Sequence, residues 1–114
     1  MCEYSVQYTV ITDHDSKNQA LCNAVAADIG GELTKCEKFD VLEKADGTQV
    51  NIDKNYVKIV VKVAGPKRAS SYRKNAAQIM SRAITASSAT NTEFVSAEAY
   101  EDVEIITTTT TVTI

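Results

Sequence analysis

Apolar and polar side chains alternate along residues 3–12, so that Tyr4, Val6, Tyr8 and Val10 share one face. A period of two residues is typical of a β-strand that buries one face and leaves the other in water. The pattern therefore predicts that the chain begins with a half-buried strand, which a short polar turn follows.

The spacing of apolar residues changes to a helical period after this turn. Ser16 is a suitable N-cap, and Gln19 stands three residues later, as in a capping box. Apolar residues then recur every three or four positions as far as Ile29, and Gly30-Gly31 supplies the left-handed stop that commonly ends a helix. A first helix is predicted over residues 16–29.

Two strands and a hairpin are predicted next. Residues 33–43 form the second strand, in which Leu33, Phe39 and Val41 are expected to face the core, and Asp46-Gly47 is a strong signal for the turn of a β-hairpin. The third strand begins at Thr48 and continues as YVKIVVKV over residues 56–63. The polar triplet at 53–55 interrupts its pattern, and we interpret it as a β-bulge or a second turn.

The rest of the chain adds one helix and more strand. A second helix is predicted over residues 66–86, because Pro66 suits its first position and an apolar stripe follows. Strand patterns return at 94–100 and 103–114. The order strand, helix, strand, strand, helix, strand predicts an α+β fold with both helices on one face of a mainly antiparallel sheet. This is the ferredoxin-like (βαββαβ) plait, here with an extended extra C-terminal strand.

The C-terminal segment is unusual because it holds five consecutive threonines. Residues 1–102 are expected to form one α+β domain, and residues 103–114 an extended strand whose register is weakly specified, since threonine lies on both of its faces. We expect this strand at a sheet edge or paired with another subunit, the alternatives being a strand that completes the chain's own sheet and a loose tail. The residues assigned to this oligomer strand are Ile105, Thr107, Thr109, Thr111, Val112 and Ile114.

Charge is segregated along the chain, although the net charge is only −3. Residues 1–53 carry four lysines and ten acidic residues, residues 54–92 carry eight basic residues and no acidic one, and residues 93–114 carry five acidic residues and no basic one. The second helix therefore has no acidic residue with which to form ion pairs along its own surface. Its counter-charges must belong to the rest of the protein, to another subunit or to a ligand. The candidate residues for binding an anion or a partner are Lys67, Arg68, Ser70, Arg73, Lys74 and Arg82.

Candidate chemistry is limited to the triplet Asp13-His14-Asp15, which contains the only histidine. Carboxylate and imidazole groups are metal ligands or general bases, but three adjacent residues rarely converge on one ion, and an acidic residue before a helix is favoured by the helix dipole alone. Asp13, His14 and Asp15 are therefore weak metal candidates. We predict no cofactor, and we favour a non-catalytic role over a small enzyme that uses these three residues.

The compartment is predicted from the cysteines and from hydropathy. Cys2, Cys22 and Cys36 are an odd number without metal-binding spacing, and we interpret them as reduced thiols in a cytoplasmic protein or in a virus particle or infected cell. No apolar run approaches the length that crosses a bilayer, so no membrane association is expected.

The functional hypothesis is an interaction or assembly protein that forms a homo-oligomer or docks on a charged protein partner. A viral or phage accessory or structural protein would suit such a small domain. The alternative is an anion-binding module in which the basic second helix holds a nucleotide or nucleic acid. Nucleic acid is disfavoured by the sequence pI of about 5.1, and KIVVKVAG lacks the stacking aromatic residues of the RNA-recognition plait.

Overall fold

The computed structural model describes residues 3–13, 15–43, 45–105 and 108–113, with side chains described for all of these but 15, 40–43, 50–54 and 102–113. Strands and helices follow one another in the order expected for the α+β class. The elements are β1 (Glu3–Thr12), a 3₁₀ turn (Asp15–Lys17), α1 (Asn18–Ile29), β2 (Glu32–Glu43), β3 (Gln49–Val63), α2 (Pro66–Lys74), α3 (Ala76–Ser87), β4 (Thr92–Ile105) and β5 (Thr108–Thr113).

The described strands form one antiparallel sheet in the order β2-β3-β1-β4-β5. The first strand of the chain is thus central, paired with β3 on one side and with β4 on the other. The irregularity predicted in the third strand is confirmed, because the pairing of β2 with β3 shifts from Phe39↔Tyr56 to Val41↔Asn51. β4 continues across the domain boundary that we expected after residue 102.

The core lies between the helices and one face of the sheet. The alternating residues of β1 and β3 point into it, and the predicted apolar stripes of α1 and α3 cover them. The bulkiest of its fully buried side chains are Tyr8, Leu21, Ile59, Met80, Val6, Val10, Val25, Val57 and Val61. No helix among the described residues lies on the opposite face of the sheet, which is called the open sheet face below.

Two helix boundaries differ from the sequence prediction. The capping box of Ser16 and Gln19 is not formed, since Ser16 lies in the 3₁₀ turn and the Gln19 amide donates to Asn23 instead, at 3.1 Å. The helix predicted over 66–86 is divided into α2 and α3 at Asn75, where φ is −95° and ψ is 18°. Asparagine is a poor residue for a helix interior because its side chain competes for backbone hydrogen bonds. The left-handed stop at Gly30 is confirmed, with φ of 64°.

A buried tyrosine joins the central strand to α2. The side chain of Tyr8 is fully buried, and its hydroxyl donates a hydrogen bond to the backbone carbonyl oxygen of Tyr72 at 3.0 Å. Burial raises the pKa of the Tyr8 phenol well above its ordinary value, and the nearby charge of Asp28 adds to the effect. The neutral phenol therefore acts as a hydrogen-bond donor that holds α2 against the sheet.

A disulfide between Cys22 and Cys36 joins α1 to the edge strand β2, so the prediction of reduced thiols is wrong for these two residues. Cys22 belongs to the buried stripe of α1, and Cys36 lies on the face of β2 that turns towards the helices. Their Cα atoms are 6.0 Å apart although 14 positions separate them in the chain. Cys2 lies outside the described residues.

An ion pair joins α1 to α3 at the protein surface. The guanidinium of Arg82 donates two hydrogen bonds to the carboxylate of Asp28, from Nε to Oδ1 at 2.9 Å and from Nη2 to Oδ2 at 2.8 Å. These bonds lower the pKa of the Asp28 carboxyl and raise the pKa of the Arg82 guanidinium. The side chain of Arg82 remains 58% exposed, so solvent weakens the pair.

Reduction of the disulfide is expected to destabilise the fold. Closing a loop of this length is worth about 3 kcal/mol, so a Cys22→Ala/Cys36→Ala variant should unfold at a clearly lower denaturant concentration than the oxidised protein. A thiol titration of the denatured, unreduced protein should find one free thiol, that of Cys2. A Cys2→Ala variant should keep the stability of the parent protein, and a titration that finds three thiols would contradict the disulfide.

Asp28→Asn is expected to lower the melting temperature at pH 7 by no more than about 5 °C, as for other exposed ion pairs in a small domain. The pKa of Asp28 is lower in the folded protein than in the unfolded chain, so this stabilisation is complete above the ordinary carboxyl pKa. It is lost as the pH falls through the lowered pKa. Thermal melts of both proteins should therefore converge in acid, and Glu93→Gln, at an exposed carboxylate, is the matched control. A difference that persists in acid would show that Asp28 acts through something other than its charge.

Candidate partner-binding surface

The basic residues predicted as a binding site lie mostly on α2, with their side chains in solvent. Lys67, Arg68, Arg73 and Lys74 are all exposed, and they are called the α2 cations below. Ser70 lies between them and is half-buried. Pro66 begins the helix, as predicted, and the helix buries only Ala69 fully. α2 thus directs its charged side chains outward and contacts the sheet through a narrow strip.

The α2 cations have no ion-pair partner among the residues that the structure describes. Other basic residues do find carboxylates within the chain. Lys62 lies 3.3 Å from Glu3 and 3.9 Å from Glu32, and Lys35 lies 3.9 Å from Glu37. The chain therefore supplies counter-charges for Lys35 and Lys62 of the sheet and for Arg82 of α3, while the α2 cations face solvent.

Arg82 differs from the other predicted binding residues. It lies on α3 rather than α2, and its guanidinium is occupied by Asp28 on α1. A partner or an anion that recruited Arg82 would first have to displace this carboxylate. The structure thus separates one structural arginine from the four α2 cations, a distinction that the charge count along the sequence could not make.

A shallow depression of about 250 Å³ lies beside the N-terminal half of α2. Arg68 and Tyr72 line it on the helix side, and Gly30 and Gly31 line it at the end of α1. Glu32 contributes a carboxylate to the same depression. The geometry would admit a small anion beside Arg68 and Lys62, while the carboxylate of Glu32, 3.9 Å from the Lys62 ammonium, opposes its negative charge.

The C-terminal strand pairs with the chain's own sheet. β5 lies antiparallel to β4, from Tyr100↔Thr113 to Ile105↔Thr108, so that Thr109, Thr111 and Val112 take part in the ladder. Thr107 and Ile114 lie outside the described residues. β5 is the last strand on its side of the sheet, and exchange or edge pairing with another subunit stays a prediction.

The acidic triplet is only partly described. Asp13 lies at the end of β1 with its side chain exposed, Asp15 begins the 3₁₀ turn, and His14 lies outside the described residues. Within the described ranges, no three histidine, cysteine or acidic side chains come close enough together to hold a metal ion.

The sequence did not identify the open sheet face as a possible binding surface. Phe39 on β2 stacks on Tyr56 of β3 with ring centroids 5.4 Å apart, and the ammonium of Lys58 lies 4.8 Å from the centre of the Phe39 ring. A broad depression of about 570 Å³ occupies the middle of this face, with Val60 and Tyr100 among its lining residues. The alternation in residues 56–63 already placed Tyr56, Lys58, Val60 and Lys62 together, but the prediction that Phe39 faces the core is wrong. The register of β2 shifts between Leu33 and Lys35, so Leu33 packs against the core while Phe39 lies beside Tyr56 on the open sheet face.

Helices of the described part of the chain are too short and too polar to cross a membrane. Comparisons of the whole chain with protein-family models, with curated proteins and with solved structures find no match. The functional interpretation therefore depends on the surfaces themselves.

Proposed function

We propose that this chain is a non-catalytic assembly protein that associates with itself and docks on an acidic protein surface through the α2 cations. The observation that carries the proposal is the contrast in charge pairing. Lys35, Lys62 and Arg82 have carboxylate partners in the chain, whereas the α2 cations have none among the described residues.

Exposed charges at the rim of a protein interface accelerate encounter and select partners by complementarity more than they add affinity. The α2 cations suit such a role because they project from a helix whose backbone is held in place. Ala69 is buried on the side of α2 that faces the sheet, and the hydroxyl of Tyr8 donates a hydrogen bond to the backbone carbonyl oxygen of Tyr72. A partner would thus meet positive side chains on a helix whose backbone is held against the sheet.

The second candidate function is anion binding at the same helix, with a nucleotide or nucleic acid as ligand. Arg68, the start of α2 and the depression beside it favour this function. Glu32 in the same depression and the net charge of −3 oppose it. A protein partner is preferred because a broad acidic surface could reach all four α2 cations without entering the depression.

We propose that the fold is the ferredoxin-like plait that the order of elements predicts. The order of β2, β3, β1 and β4 in the sheet and the helices on one face support it, with β5 as the added strand and the second helix divided at Asn75. Because this plait serves many activities, it carries no argument about function by itself.

The Cys22–Cys36 disulfide bears on the compartment. Disulfides persist in oxidising surroundings, whereas the cytosol keeps most thiols reduced. The cytoplasmic location was inferred in part from three free thiols, and the disulfide removes two of them from that argument, so we favour an oxidising compartment or the outside of a particle. The viral or phage setting stays a prediction.

Reversal of charge on α2 should weaken docking on acidic polypeptide. Fluorescence anisotropy with labelled poly-glutamate should show salt-sensitive binding by the parent protein, and Arg68→Glu/Arg73→Glu should weaken it about tenfold or more, since rim charges steer association. Lys17→Glu, at an exposed lysine outside both α2 and the open sheet face, makes the same charge change as Arg68→Glu alone and is the matched control for that single variant.

Parallel titrations with an oligothymidylate and with a labelled nucleoside triphosphate distinguish the two candidate functions. Binding to either of these with no binding to poly-glutamate would replace protein docking by anion binding. Equal losses in the Arg68→Glu variant and in the control would show that net charge alone governs association, and would overturn the role of α2.

A further inference from the structure

The open sheet face combines charged and apolar side chains in a pattern unlike that of a simple solvated surface. Solvent-facing sides of antiparallel sheets are usually polar throughout. Here Val60 and Tyr100 lie in the central depression, and the stacked rings of Phe39 and Tyr56 lie towards the β2 edge. All four side chains are only partly buried in the isolated chain. A covering partner would remove more apolar area from water.

Charges on this face are divided between its two halves. The half formed by β2 and β3 carries the lysines Lys35, Lys58 and Lys62 together with Glu32 and Glu37, whereas the half formed by β1 and β4 carries Glu3 and Glu98 and no described basic residue. Lys62 and Lys35 already have carboxylates within 3.9 Å, whereas Lys58, which is aligned with Glu37 on β2, lies over the Phe39 ring and forms no ion pair with a described residue. Glu98 is exposed and likewise has no described partner. Each half thus offers a charge that the other half could satisfy.

We propose that a second copy of this chain packs face to face on the open sheet face, with a two-fold axis that runs along β1. The inference rests on the self-association part of the proposed function, but it uses a surface other than α2. It names the partner, the interface and the symmetry of that association.

The direction of the axis follows from the order of the strands. β1 lies between β3 and β4, so a two-fold rotation about an axis along β1 places β3 of one copy over β4 of the other. Val60 and Glu98 both align with Gln7 across the sheet. Glu98 of each copy then lies over the row of Val60, with Lys58 and Lys62 about 7 Å along the strand in either direction. An in-plane axis perpendicular to the strands would instead place lysines over lysines.

A second copy fits this face better than nucleic acid does. Glu3, Glu37 and Glu98 share the face with its lysines, and they would repel a phosphate backbone. The rings of Phe39 and Tyr56 stack on each other and Lys58 covers Phe39, so these rings are not free platforms for bases. Mixed charge of this kind suits the self-complementary patch that a two-fold interface requires.

A charge-swap experiment tests the proposal. Light scattering after gel filtration should give a mass of twice 12.4 kDa for the parent protein. Lys58→Glu and Glu98→Lys should each weaken the dimer about tenfold, and the double variant Lys58→Glu/Glu98→Lys should restore it, because the two charges exchange places across the interface. Lys74→Glu on α2 makes the same charge change on the other side of the molecule and should leave the dimer intact.

Cross-linking locates the axis independently. In a Cys2→Ala background, Gln7→Cys lies next to its own counterpart in the dimer, so a short bis-maleimide should link the two chains, while Lys74→Cys should give no link. A dimer that survives both single reversals, or one that Arg68→Glu/Arg73→Glu dissociates, would overturn the sheet-face interface and leave self-association standing. A monomeric parent protein would overturn the sheet-face interface and self-association together. The poly-glutamate titration would then test docking on an acidic partner independently.

Discussion

The structure depends on the packing of β1 and β3 beneath the helices. Val6, Tyr8 and Val10 of β1 are fully buried, as are Val57, Ile59 and Val61 of β3. Burying an aliphatic side chain of this size contributes about 1.5–3 kcal/mol, so these neighbouring rows are a large share of what holds the domain together. Because side chains alternate across a strand, the same constraint directs the other residues of both strands to the opposite face. The packing of the core therefore determines which residues of β1 and β3 lie on the open sheet face.

The charged surfaces follow from this arrangement. Residues of β3 that cannot enter the core include Lys58 and Lys62, and these emerge beside Glu3 and Glu98 of the neighbouring strands. α2 buries only Ala69 fully, so its basic residues remain in solvent. α3 instead lies against α1, where Arg82 meets Asp28. A single block of basic residues in the chain is thus distributed over three surroundings, each with a different electrostatic role.

Local patterns predicted those features that local physics decides. The alternation in residues 3–12 and 56–63, the stop at Gly30 and the start of a helix at Pro66 all agree with the structure. The predicted cap at Ser16 is absent because the chain enters α1 through a 3₁₀ turn, and the predicted single long helix is interrupted where the backbone at Asn75 leaves helical angles. The disulfide was missed because the spacing of two cysteines does not reveal whether a helix and a strand bring them together.

The sequence by itself determined which residues of β1 and β3 face the core, because the period of a strand is a local property. It also determined that the basic residues of α2 lack acidic neighbours along their own helix. Only the tertiary structure decided which cations are balanced within the chain, since Asp28 and Arg82 are 54 positions apart. It likewise brought Phe39 onto Tyr56 and Lys58. These pairings depend on the order and register of strands in the sheet, which long-range packing sets and which no local pattern encodes.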